Sequence, residues 1–151
     1  MYYTINRTDL RDRIDEEVSH VADQAYGDNG ASLYDSIILT EKDDDMVGRF
    51  IDTAIYAITT RMFDICKHYY TTESSQNQTL EQLQFYVPDF DETMEQAVKD
   101  ELTNFIVLFT CHSIFQMRRA SVLPQYADMV QASLNKAVTL LKSRKSPIKI
   151  W

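Results

Sequence analysis

Between Asp91 and Arg119 the chain runs for 29 residues without a glycine or a proline. An uninterrupted helix over that stretch would be roughly 43 Å long at 1.5 Å per residue. Asp91 supplies its N-cap and Glu92 a first-turn negative charge, both favoured at a helix start. Its middle, Phe105-Ile106-Val107-Leu108-Phe109, is apolar on every helical face. Such a helix is either the centre of a helical assembly or covered on one side by a neighbouring subunit. The rest of the fold must be arranged around it. Breakers are rare elsewhere too, with three glycines and three prolines in 151 residues. That favours a few long elements over a many-turned β fold. The chain is therefore expected to be mainly α, a four-helix bundle-like domain over residues 1–145 with a long central helix.

Three further helices are predicted from apolar residues at helical spacing. The first covers about 8–26, capped by Thr8 with Asp9 in its first turn, and is stopped by Gly27-Asp28-Asn29-Gly30. The next opens at Asp43-Asp44-Asp45, is expected to bury Met46, Val47, Phe50, Ile51, Ala54, Ile55, Ile58, Met62 and Ile65, and to end near Tyr69. The last restarts at Pro124 and carries Ala127, Val130, Leu134, Ala137, Val138 and Leu141 up to about Arg144. Residues 71–79 contain no large apolar side chain and are read as an exposed loop. Residues 32–40 admit a short helical turn leading into a strand at Ser36–Thr40, and Leu83–Val87 alternates with period two and is β-prone, so a small two-stranded ribbon with Ile37–Thr40 is expected. Packing against a helix would have to support so small a ribbon.

Charge is divided unevenly. Residues 1–101 hold 22 acids and 8 bases, net −14, whereas residues 102–151 hold one acid, Asp128, and 7 bases, net +6. The overall −8 argues against general nucleic-acid binding and against attraction to anionic membranes. The basic part is suited to an acidic partner or to the acidic part of a sister subunit. No basic-then-apolar leader opens the sequence, and the longest nearly apolar stretch, Phe105 to Met117, is shorter than a bilayer span. The two cysteines, Cys66 and Cys111, are expected inside helices as buried free thiols in a reducing compartment.

No catalytic or cofactor-binding constellation emerges, and the expectation is a protein that binds other proteins rather than an enzyme. Glu17 and His20 have the Glu-x-x-His spacing of di-iron bundles, but neither His68 nor His112 has a glutamate three residues before it. Cys66, His68, Cys111 and His112 are chemically suitable zinc ligands, yet helical spacing would point each adjacent pair apart. Asp43-Asp44-Asp45 is explained by capping and the helix dipole. The informative segment is a tail over residues 146–151. Lys142, Arg144, Lys145 and Lys149 surround Ile148, Ile150 and Trp151 in period-two alternation. Burying each large apolar side chain is worth roughly 1.5–3 kcal/mol. These seven residues are the candidate partner-binding site, in a form suited to strand addition.

Two stretches resemble the small helical head–tail connector (adaptor) proteins of tailed bacteriophages. One is Leu39 to Ile55, Leu-Thr-Glu-Lys-Asp-Asp-Asp-Met-Val-Gly-Arg-Phe-Ile-Asp-Thr-Ala-Ile, an acidic turn leading into an amphipathic helix with an Ile-Asp-x-Ala core. The other is Val87-Pro88-Asp89-Phe90, followed by a long helix with Val98-Lys99 at its start, a dense aliphatic middle, His112, the aromatic Phe115 and a closing Arg118. The resemblance covers roughly residues 39–119; the first helix, the 71–79 segment and a longer last helix depart from it. It implies a virion structural protein of the phage neck, assembled in the host cytoplasm. Its subunits would form a ring, commonly a dodecamer, between the portal and the tail or neck proteins. DNA would pass through the ring without specific binding, and no cofactor, metal or membrane would be involved. The alternative is a small cytoplasmic helical adaptor or regulator that binds one protein partner.

Overall fold

The structure is a computed structural model that describes residues 1–26, 30–73, 78–118 and 125–143. The chain is mainly helical, with a small three-stranded antiparallel sheet. In order, the elements are β1 (Tyr2–Ile5), α1 (Arg7–Asp23), α2 (Tyr34–Ile37), α3 (Asp44–Arg61), β2 (Cys66–Glu73), β3 (Gln78–Phe85), α4 (Glu95–Met117) and α5 (Gln125–Leu141). Single 3-10 turns at Glu41–Asp43 and Glu92–Met94 lead into α3 and α4.

The long helix lies where the sequence puts it. Asp91 caps its opening turn through the Thr93 backbone N–H, at 3.1 Å. α1, α3 and α5 all pack against α4. Phe105, Ile106 and Val107 are buried by these neighbours, while Leu108 and Phe109 remain half-buried. The subunit itself thus covers most of the all-round apolar segment. The N-cap of α1 lies two residues earlier than expected, because Asn6 rather than Thr8 fills it and accepts from the Asp9 backbone N–H. α1 ends at Asp23, and part of the predicted Gly27–Gly30 stop lies outside the described residues.

The sheet departs from expectation in partner and size. β3 is its central strand, paired antiparallel with β2 on one side and β1 on the other, in the order β1-β3-β2. Leu83 sits opposite both Tyr3 and His68. Ser36–Thr40 takes no part. Ser36 and Ile37 belong to the short α2, which buries Ile37 against the core. α3 stops at Arg61 rather than near Tyr69, and the chain turns through 62–65, closed by the Cys66 N–H donating to the Met62 carbonyl at 2.8 Å. Cys66 to Tyr70 is therefore strand, contrary to the helical reading, and most of the supposed loop 71–79 forms the two arms of the β2–β3 hairpin.

Arg118, the residue closing the long helix, fastens α4 to the segment before α3. Its guanidinium donates to the Ile37 and Ile38 carbonyls at 3.1 and 2.6 Å and pairs with Asp43 at 2.7 Å. Asp43 also accepts from the Thr40 backbone N–H at 2.8 Å, closing a capping box. That backbone bond, with Arg118, holds the Asp43 carboxyl below its ordinary range against the opposing effect of burial. Replacing Arg118 by alanine strands two carbonyls and a carboxylate. The expected loss is about 2 kcal/mol, since bonds to a charged group contribute more than neutral ones. Urea unfolding checks it, and an unchanged midpoint would show that water replaces the guanidinium without cost.

Candidate interaction surface

Two concave regions flank the sheet, one polar and one apolar. The polar one follows from the period-two alternation of the strands, which puts His68, Tyr70 and Glu81 on the face shared with Tyr3, Ile5 and Leu83. Glu81 is only 7% exposed and its two oxygens are fully engaged. Arg7 donates from Nε and Nη2 at 2.9 and 3.1 Å, the Tyr70 hydroxyl donates at 2.9 Å, and His68 Nε2 lies 3.1 Å away. Arg7 also pairs with Asp52 of α3. Burial pushes the Glu81 carboxyl upward, but the bonds from Arg7, Tyr70 and His68 outweigh it and leave the group below its ordinary value. The same bond to Glu81 raises both the Arg7 guanidinium and the Tyr70 hydroxyl. A general acid at neutral pH needs the opposite tuning, a carboxyl raised and with a free edge. Glu81 instead ties the β1–α1 junction to the hairpin and to α3. The depression beside it, about 700 Å³, is open and lined by Thr4, Asp52, Thr79 and Leu80 as well.

The apolar region is a cleft of about 630 Å³ between the turn after α3, the exit of β3 and the last turns of α5. Met62, Ile65, Val87, Val138 and Leu141 form its walls, with Arg61, Asp64, Asp89 and Lys142 around them. Phe63 stands at it 82% exposed, and the neighbouring Tyr86 is 76% exposed. Backbone bonds define the shape. Tyr86 N–H donates to the Ile65 carbonyl at 2.8 Å, and Asp91 N–H to the Ser143 carbonyl at 3.2 Å, which anchors the end of α5 beside the cleft. Asp89 turns the chain there with φ 59°, a left-handed conformation that aspartate accepts more readily than most residues.

The residues singled out in the sequence are scattered. Lys142 lines the apolar cleft. Arg144, Lys145, Ile148, Lys149, Ile150 and Trp151 lie outside the described residues. Glu17 accepts a hydrogen bond from the Tyr126 hydroxyl of α5, while His20 sits in the last turn of α1. Because β2 is a strand, Cys66 and His68 share a face after all, and helical spacing was the wrong reason to separate them. His68 is turned to Glu81 instead, and among the described residues no group of three or more His, Cys, Asp or Glu is placed to hold a metal. Both thiols are buried; desolvation pushes Cys66 up to about 12 and raises Cys111 as well, which makes them poor nucleophiles. Of the acidic triplet, Asp43 binds Thr40 and Arg118, and Asp44 pairs with Arg11 at 2.7 Å.

Sequence reasoning missed the cleft. Phe63 and Tyr86 carry the only local signal, large aromatics just outside the ends of a helix and a strand. Among the described residues, no helix is long and apolar enough to cross a membrane. No protein-family model, curated protein or solved structure matches the chain.

Proposed function

We propose that this chain is a structural, non-catalytic subunit of a head–tail connector ring, seated between the portal and the tail of a phage particle. The supporting observation is the charge division, net −14 over residues 1–101 against +6 over residues 102–151. Asp9, Asp12, Glu16 and Asp23 of α1 and Glu41, Asp44, Asp45 and Asp52 around the start of α3 are exposed. Segments of opposite sign on one chain would favour head-to-tail contacts between copies, which close into a ring when the rotation allows. An acidic surface lining such a ring would repel DNA phosphates and let the duplex slide without specific binding. A bundle-like arrangement of helices about α4 would give each subunit a rigid body, and the basic, apolar residues 142–151 would engage a neighbour or the portal.

Light scattering tests the reading. The purified protein is expected to reach a mass many times that of one chain, and to lose it as salt rises, since contacts between exposed charges are screened. Deleting Ser146–Trp151 should weaken the assembly further. A protein that stays monomeric alone and with a portal would refute the ring. The second reading, an adaptor for one protein partner, draws on the apolar cleft with its exposed Phe63. A stable one-to-one complex without self-assembly would favour it.

A further inference from the structure

We infer that, in the isolated subunit, the apolar cleft is filled by residues 148–151 of the same chain. This inference concerns the subunit before it assembles, so its readouts are taken at a salt concentration where light scattering gives the mass of one chain. Position is the first argument. Val138 and Leu141 of α5 and the adjoining Lys142 line the cleft, and the backbone bond from Asp91 N–H to the Ser143 carbonyl anchors the chain beside it three residues before the tail begins. Residues 144–147 span at most roughly 13–14 Å when extended, enough to turn back from Ser143 over a cleft this close. Chemistry is the second. The cleft presents Met62, Phe63, Ile65 and Val87, and the tail offers Ile148, Ile150 and Trp151.

Charge is the third argument. Asp64 and Asp89 lie at the cleft, while Arg144, Lys145 and Lys149 flank the apolar residues of the tail. Arg61 and Lys142 line the cleft as well, so its lining is balanced overall and the acids offer the tail local partners only; Arg61 donates to Asn135 at 3.3 Å. Tethering decides between copies: a short linker holds the tail at an effective concentration on the order of millimolar, which a second copy in dilute solution does not match. A tail seated in this way would be the form that a partner has to displace.

Trp151 is the only tryptophan in the chain, so its fluorescence reads the tail directly. In the full-length protein its emission should be blue-shifted, shielded from iodide and independent of dilution. Phe63→Asp should move it to the red and open it to iodide. Met129→Ser, an exposed α5 residue that does not line the cleft, should leave it unchanged. A second measurement assigns the chain of origin: cysteines introduced by Phe63→Cys and Ile150→Cys should oxidise to an intrachain disulfide that migrates as a monomer without reductant. Solvent-exposed Trp151 emission in the unaltered protein would overturn the inference. So would emission insensitive to Phe63→Asp, or cross-links found only between chains. Ring assembly measured by light scattering can fail without affecting either readout.

Discussion

Replacing Phe105 by alanine is expected to lower the stability of the protein by about 3–5 kcal/mol, the usual loss for a fully buried phenylalanine. Phe105 is 1% exposed at the middle of α4, the helix against which α1, α3 and α5 are all packed. Its ring lies 5.8 Å from that of Phe109 one turn later. The cavity left by truncation would lie inside a close-packed core, so little of the loss is recovered by collapse. For a domain whose total stability is on the order of 5–15 kcal/mol, that is at least about a fifth of it. The urea midpoint should fall with little change in slope. Phe109→Ala is the informative contrast. Phe109 is half-buried in the single subunit, so its truncation should cost only about 1–2 kcal/mol there. A change in mass with Phe109→Ala, at nearly unchanged subunit stability, would place that side of α4 at a contact between copies. An equal loss for both substitutions would contradict the packing described.

Removing the Glu81 carboxylate should cost about 2–3 kcal/mol, below the figure for a fully buried ion pair, because Arg7 retains access to water and can rehydrate. The Arg7 side chain is 38% exposed and that of Glu81 8%. The effect depends on pH in a definite direction. The folded state holds the Glu81 carboxyl below its ordinary value of 4.5, so the carboxylate stabilises the fold fully above that value. The contribution is lost as pH falls through the depressed folded-state value, because the unfolded chain then binds the extra proton. Asp43, also lowered, adds to the slope with the same sign. Urea midpoints measured from neutral pH down to about 3 should therefore decline for the unaltered protein and decline less for Glu81→Ala. Parallel curves for the two would show that other carboxylates govern the acid limb.

Much of the helical part of this fold is written in local pattern. Leu10, Ile14 and Val18 in α1, or Val47, Ile51, Ala54, Ile55 and Ile58 in α3, repeat at helical spacing and are buried as that repeat requires. The sheet is harder to read, because its pairing is non-local. Tyr2 to Ile5 alternates exposed and buried like any half-buried strand, but four residues are too few to stand out, and their partner lies far along the chain. Ile65 falls on the apolar repeat of α3 by coincidence, which carries a helical reading past Met62 into residues that are β-prone: Tyr69, Tyr70, Thr71 and Thr72. The Glu81 cluster was invisible for the same reason. Arg7, Asp52, His68, Tyr70 and Glu81 come from four separate elements, and no spacing in the sequence announces their meeting. The apolar cleft belongs to the turns between elements, where periodicity has nothing to say.

The order of the strands also bears on how the chain becomes folded. β2 and β3 form a hairpin from adjacent segments, whereas the Met1 amino group and the Phe85 carbonyl that it reaches are 84 positions apart. During synthesis β1 must therefore wait, unpaired, until the hairpin has left the ribosome. Closing so long a loop slows pairing more than it weakens the finished sheet. In that interval one edge of β3 is open, and a β1 strand from another molecule is as suitable a neighbour as its own. Chains crowded on one message would be most exposed to such exchange. Slower production at lower temperature should yield a larger share of correctly closed molecules.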